Sequence, residues 1–472
     1  MIDHEPLTDL TLHYPALDLF LYDLLDGLGE SAATVDQRRQ QIWQSILNGQ
    51  LTETALEATL TEIKEREKKI SRYIELLPEK RLRFTSPYDG YYYPVKLDDT
   101  LSVMVHCSGK PQDDTLPALS FAEQLQQMKA GVLDHARSIP RQIGQSWLIW
   151  GQLPNSSQST EATAHFLYDN LALFSSPNWD QDFRGQGHYQ EATLFEFQRP
   201  DSTPDNQNQH HYALICLFPA CLSKGDLQDI MSQFYCELMR LFHYRNKVLW
   251  VYKQSIQLKT TLKAATSTMQ RLTDALPMVI TQPKVDLDQL QRNLAIALQL
   301  SQAYETNLGY FREQESTIEV NIQNYGRRLQ VIEKQDSDCD LAFLWQFEEL
   351  AKEKYLAQLQ TDEKILTAGF KPLENYTKTV AGIIDIEHSK NERKLNLTIA
   401  SASAGLGAAS LMAATFNDQA KQLVAVWMPP PQGQTQPPVA SYLASTVLAF
   451  GVSASMGVLF AWLTYRLLRR RG

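Results

Sequence analysis

The sequence predicts an α+β, mostly α membrane protein: an N-terminal cytoplasmic α/β domain, long antiparallel helices with a stalk helix, and two C-terminal transmembrane helices. Three patterns predict it. Short β-branched and aromatic runs alternate with polar or helical stretches between residues 80 and 222, a seven-residue apolar repeat runs through 287–332, and two apolar stretches, 395–416 and 439–463, contain no Asp, Glu, Lys or Arg.

Taken in order, residues 1–79 read as an N-terminal helical region, because Leu17, Phe20, Leu21, Leu24 and Leu28 fall on one helical face and 63–74 is rich in Lys and Glu. The α/β domain, 80–222, carries strand-like runs at 101–107, 147–150, 194–197 and 212–218. They are separated by segments that include the Ser/Thr-rich 155–163 and the polar loop 199–211. Residues 223–394 hold the long helices and stalk. Leu227, Ile230, Met231, Phe234, Leu238, Leu241 and Phe242 mark one face of a helix reaching about Leu272, and Pro277 and Pro283 bracket a turn.

The periodic signal is strongest next. Leu287, Leu294, Ser301, Leu308, Glu315, Ile322 and Leu329 repeat every seven residues, as do Leu290, Ala297, Tyr304, Phe311, Ile318, Tyr325 and Ile332. Such a seam needs a facing helix, either from a second copy as an interprotomer coiled coil or from this chain as an antiparallel hairpin. A third helix spans 341–370, and Pro372 is expected to break or kink it, since an interior proline costs ~3 kcal/mol. A further helix then runs through Tyr376, Val380, Ile383 and Ile384 toward the first apolar stretch.

Each apolar stretch exceeds the ~20 residues needed to cross a ~30 Å hydrocarbon layer. Lys390, Arg393 and Lys394 precede the first, and Arg466, Arg469, Arg470 and Arg471 in the basic tail 464–472 follow the second. The intervening loop 417–438 carries only Asp418 and Lys421. This asymmetry predicts two spans in the inner or cell membrane, both termini cytoplasmic and 417–438 external. The alternative of a buried helical hairpin leaves the charge asymmetry without a cause.

A formal net charge of −10 argues against direct nucleic-acid binding, and an acidic surface can attract divalent cations. Cys107, Cys216, Cys221, Cys236 and Cys339 are read as free thiols. His210 and His211 beside Cys216 and Cys221 read as a surface pair and two buried thiols rather than a metal site. The sequence 107–110, Cys-Ser-Gly-Lys, lacks the upstream glycine of a phosphate loop, and Tyr91, Tyr92 and Tyr93 read as a strand edge. The N-terminus has no apolar core of a signal peptide, and no catalytic constellation stands out, so an enzyme is not expected.

The order of parts, together with Asn391, Glu392, Leu397, Thr398 and Ile399 at the entry to the first apolar stretch, resembles the CorA family of magnesium channels. Continuing at that family's spacing, its Gly-Met-Asn signature falls on Thr415, Phe416 and Asn417, where only the Asn is kept. The resemblance implies a homopentamer with a pore lined by Asn391, Lys394, Leu397, Ser401, Gly405, Ala408, Met412, Thr415 and Asn417. A divalent cation such as Mg²⁺ would be the permeant or regulatory ion.

Loss of the signature glycine and a possible ring of Lys394 side chains imply altered selectivity, while a Lys394 that snorkels to headgroups leaves the pore uncharged. Three functions follow from the resemblance: an ion channel gated through its cytoplasmic domain, an effector gated by a small-molecule or nucleotide ligand in a type III CRISPR-type defence system, or a non-conducting membrane anchor.

Overall fold

A computed structural model of the chain describes residues 10–25, 32–47, 53–67, 71–85, 88–109, 120–174, 176–199, 212–281 and 286–389. Beyond these it describes Gly407 and residues 447–449, 451–453, 455–457, 459–460, 462–463 and 466. In chain order the elements are β1 (His13–Leu24), α1 (Ala32–Leu47), α2 (Glu53–Glu67), β2 (Tyr73–Glu75), β3 (Leu82–Phe84), β4 (Asp89–Leu97), β5 (Thr100–Ser108), α3 (Phe121–Ala136) and β6 (Gly144–Gln152). There follow α4 (Thr160–Leu171), α5 (Trp179–Asp182), β7 (Phe183–Tyr189), β8 (Ala192–Gln198), β9 (Tyr212–Phe218), α6 (Lys224–Ile280), α7 (Leu287–Gln335), α8 (Ala342–Leu350), a π-helical turn (Ala351–Leu356) and α9 (Ala357–Ser389). They form two units: Met1–Lys263 with Thr306–Ala368, and Ala264–Glu305 with Gly369–Gly472.

The first unit is built on a nine-stranded sheet of order β2-β4-β5-β1-β6-β9-β8-β7, with β3 paired to β4. Only β6 and β9 run parallel. On one face Leu17, Leu19, Leu21, Val103, Val105, Ile149, Phe195, Phe197 and Ile215 share a buried core with Leu125, Met128 and Val132 of α3 and Leu167 and Leu171 of α4. Ser120 starts α3 with a capping box to Glu123, and Ser159 caps α4. The other face is covered by α6, where Phe242 meets Phe20 and Tyr212 edge-on at 5.3 Å each and Phe234 stacks on Tyr189 at 4.5 Å.

This double cover corrects the reading of residues 1–79 as helical. Residues His13–Leu24 are a strand in the middle of the sheet, paired with β5 and β6. A strand buried on both faces loses its polar alternation, and its apolar run then mimics helical spacing at Leu17, Phe20, Leu21 and Leu24. Helices do follow, at α1 and α2.

One close interlock ties the sheet edge to the helices of the same unit. His188 and Asp340 exchange backbone hydrogen bonds of 3.0 and 2.9 Å, and Gln190 donates its backbone N–H to Asp336 at 2.6 Å. The approach requires a bare backbone on β7: a Cβ at Gly187 would stand 2.0 Å from the Asp340 carbonyl oxygen, and one at Gly185 2.6 Å from Phe343 Cβ.

The seven-residue seam of α7 is buried at every predicted position except Leu287 and Glu315, which are partly exposed. Of the two sources of a facing helix, this chain supplies one. In the first unit Arg328 donates to Glu237 of α6 at 2.7 Å, Arg312 to Glu363 of α9 at 2.6 Å and Lys259 of α6 to Asp362 of α9 at 2.6 Å. In the second unit Tyr304 stacks on Phe370 at 5.7 Å.

The turn expected at Pro277 is helix, and Pro372 does not end its helix. Pro277 lies inside α6 and Pro372 inside α9. An interior proline costs ~3 kcal/mol, but each fully buried large apolar side chain contributes ~1.5–3 kcal/mol. Leu373, Tyr376, Val380 and Ile384 are all buried just beyond Pro372. Packing outweighs the lost hydrogen bond.

The predicted pair of transmembrane helices is also corrected: among the described residues, no helix is long and apolar enough to cross a membrane. The long helices α6, α7 and α9 carry charged residues throughout. Of 395–416 only Gly407 is described. In 439–463 the described Leu459, Phe460, Trp462 and Leu463 are about half exposed. The fold of the described residues is a mixed sheet covered on both faces by helices, together with long helices that pair within each unit.

The interlock makes a test. Gly187→Ala should lower the unfolding free energy by about 1–3 kcal/mol, because the added methyl meets a backbone oxygen that cannot rotate away. It would be read as a reduced denaturant midpoint at unchanged slope. An unchanged midpoint would mean that the link before α8 does not sit on β7.

Candidate functional site

The two faces of the sheet differ chemically. The α3/α4 side is apolar, whereas the α6 side carries polar and ionisable side chains at regular strand positions: Asp18 and Tyr22 on β1, Thr100, Ser102 and His106 on β5, Ser146 on β6, Glu196 on β8. Alternation along each strand puts them on one face, and helix α6 answers with Tyr235, His243, Arg245, Asn246 and Lys247. All of these are buried.

Asp18 is the centre of one end of this seam. Register pairs it directly with His106 across β1 and β5, and its Oδ1 is 2.6 Å from His106 Nδ1. Its Oδ2 accepts from Tyr235 Oη at 2.7 Å and from Trp150 Nε1 at 3.0 Å. An ionised Asp18 can only accept and so calls for a proton on Nδ1, and in the neutral ring Nε2 then accepts from Ser108 Oγ at 2.9 Å. Tyr91 stacks on the ring at 4.5 Å, and the Arg81 guanidinium lies over the Tyr91 ring at 4.7 Å. Carboxylate, imidazole and hydroxyl stand in line.

Further along α6, His243 Nε2 lies 2.9 Å from Thr100 Oγ1, whose own proton goes to Asp99 at 3.1 Å. The imidazole therefore donates from Nε2, and its Nδ1 has no hydrogen-bond partner among the described residues. Burial, followed by the nearby Lys247 ammonium, pushes the His243 pKa down to about 3. Burial alone would raise Asp99, but its ion pair with Lys247 holds it below the ordinary carboxylate range. Asn246 donates to Ser146 Oγ at 2.8 Å and sits against Gly144, where a Cβ would stand 2.5 Å from its Oδ1.

Arg245 closes the seam near β8. Its guanidinium lies between the rings of Tyr212 and Phe347, 4.1 Å from each centroid, with Nη1 3.6 Å from Glu196 and Nη2 bonded to Gln198. Burial pushes Glu196 up, and Arg245 offsets this only in part.

None of the sequence-predicted pore positions, from Asn391 and Lys394 through Leu397, Ser401, Gly405, Ala408 and Met412 to Thr415, Phe416 and Asn417, lies among the described residues. His210 and His211 lie outside them too. Cys216 is buried, but Cys221 is exposed, which corrects the reading of two buried thiols. Tyr91–Tyr93 lie in β4 between β5 and the short β2 and β3, not at an edge. Among the described residues no group of His, Cys, Asp and Glu could hold a metal ion.

The seam itself escaped sequence reasoning, although its signal is present: His243, Arg245, Asn246 and Lys247 interrupt the apolar face of a long helix, and Asp18 interrupts an apolar strand. Set against known proteins, the chain matches no family model, no curated protein and no solved structure.

The His243 environment sets a pH dependence. Between the unfolded pKa near 6.5 and the folded value of about 3, the unfolded chain binds a proton that the folded chain does not. This contribution is fully present above pH 6.5 and is lost as pH falls through that window. From pH 7 to pH 5 the wild type should lose about 2 kcal/mol more than His243→Gln, measured by denaturant unfolding at both pH values. Parallel losses would mean that the imidazole takes up its proton in the folded state.

Proposed function

We propose that this chain is a signal-coupling protein: its α/β domain takes up a stimulus, and helix α6 transmits the response along the long helices. The observation that carries this reading is the polar seam. An apolar helix-sheet interface holds by non-directional dispersion and admits small sliding steps. Tyr235, His243, Arg245 and Asn246 each meet a polar residue on a different strand, and Lys247 pairs with Asp99 in the turn before β5, so the helix admits only discrete registers. A 57-residue helix seated in this way responds as one element, so a stimulus that loosens the seam at one strand is felt along its length.

The resemblance to CorA-like proteins supports this reading through the order of parts, a folded domain followed by long antiparallel helices, and carries no claim about membrane crossing. A small-molecule or nucleotide ligand is the proposed stimulus, and self-association into a homo-oligomer, a pentamer by that resemblance, is the proposed form of the output. Sedimentation of the intact chain gives the number of copies.

Hydrogen exchange tests the coupling. In Asn246→Ala, amides at 264–280, well beyond the substituted turn, should exchange roughly fivefold faster, the factor expected when a hydrogen bond worth ~1 kcal/mol is removed from a cooperative element. Leu167→Ala, on the apolar face, should leave those amides unchanged. Faster exchange confined to the turns around residue 246 would overturn the coupling reading.

A further inference from the structure

We propose that Ser108 is an activated nucleophile toward activated acyl esters and phosphonyl fluorides, with His106 as its base and Asp18 as the residue that positions the imidazole. This goes beyond the coupling reading and does not rest on it.

Three observations carry the proposal. The first is the chain Ser108 Oγ, His106 Nε2, His106 Nδ1, Asp18 Oδ1, with separations of 2.9 Å and 2.6 Å at its two hydrogen bonds. These are the distances at which an imidazole takes a proton from a hydroxyl while a carboxylate fixes its tautomer. The second is rigidity. His106 and Ser108 are two apart on one strand and so share a face, Asp18 is the register partner of His106, and Tyr91 and Tyr235 hold the ring by stacking and by an edge contact. Asp18 is itself fixed by Tyr235 and Trp150.

The third is access. Asp18 is fully buried and His106 nearly so, but Ser108 is the last residue of β5 and only partly buried. Next comes Gly109, at φ +91, with no atom of the described residues within 4 Å of where a Cβ would stand. Ala16, its partner on β1, is small. The network thus ends in a hydroxyl on the one partly buried residue of β5. The partner on the other side is Asp89, whose exposed carboxylate disfavours anionic substrates and selects neutral or cationic ones.

The reaction balances with water as the only co-reactant. Ser108 Oγ forms a bond to the carbonyl carbon as its proton passes to His106 Nε2. The bond from that carbon to the leaving alcohol's oxygen then breaks, and the departing oxygen takes the proton from Nε2, leaving an ester on Ser108. Water attacks that ester with His106 again as base. The carbon to Ser108 Oγ bond breaks, the acid is released, and the proton returns to Ser108.

The test is labelling of the intact folded chain with a fluorophosphonate probe, followed by peptide mapping. The expected result is a single adduct on Ser108 that is absent when the same chain is unfolded in urea. His106→Gln should slow labelling by about 100-fold or more, the usual worth of a positioned general base. Ser108→Ala should abolish it, and Asp18→Asn should slow it while hydrolysis of a neutral activated ester falls in parallel. Circular dichroism confirms the fold of each variant. An unlabelled Ser108 in the folded wild type, labelling that survives in urea, or a His106→Gln rate equal to wild type would each overturn the proposal. The hydrogen-exchange result for Asn246→Ala is independent of all three.

Discussion

A fully buried carboxylate on the central strand must be satisfied, and much of the first unit is arranged by how that is done. Asp18 takes hydrogen bonds from β5 through His106, from β6 through Trp150 and from α6 through Tyr235. Leaving such a charge without a partner costs ~3–5 kcal/mol, so the four elements have one mutual arrangement in which the cost is avoided. The same bonds join strands that are neighbours in the sheet to a helix residue 217 positions from Asp18 in sequence. The register of β1 on β5 is therefore fixed twice, once by the backbone ladder and once by the side chains across it.

The contrast between the two sheet faces follows from what each must do. The α3/α4 side joins elements through Leu, Val, Ile and Phe, which supply most of the stability and little directional information. The α6 side buries ions and hydroxyls, which add little net stability once desolvation is counted but penalise every misplaced register. Arg245 illustrates the point: held between two rings and opposite Glu196, its charge has no second low-energy location nearby. His243 lies in the same seam and keeps its proton off, because burial and Lys247 both oppose a second positive charge.

Helix length in this chain is set by packing more than by local rules. Two prolines stand inside helices, and a π-helical turn lies between α8 and α9 without ending the run. In each case buried apolar positions continue on both sides of the irregularity. The glycines of β7 work the other way, removing side chains so that the backbone before α8 can reach the sheet edge.

By itself the sequence determined the elements whose signal is local and repeated. The seven-residue seam of α7 and the helical face beginning at Leu227 are legible because apolar spacing there reports a single buried face, and the strands at 101–107, 147–150, 194–197 and 212–218 because short apolar runs are bounded by polar or turn residues. Tertiary structure alone decided the rest. β1 reads as a helix because burial on both faces erases the period of two. Pro277 and Pro372 read as breaks because the compensating burial is long-range. Residues at positions 18, 106, 108, 150 and 235 become one site only when β1 settles between β5 and β6 and α6 lies across them, since no local pattern encodes a contact between residues that distant. The apolar stretches after residue 394 read as spans by length and flanking charge, whereas among the described residues no helix is long and apolar enough to cross a membrane.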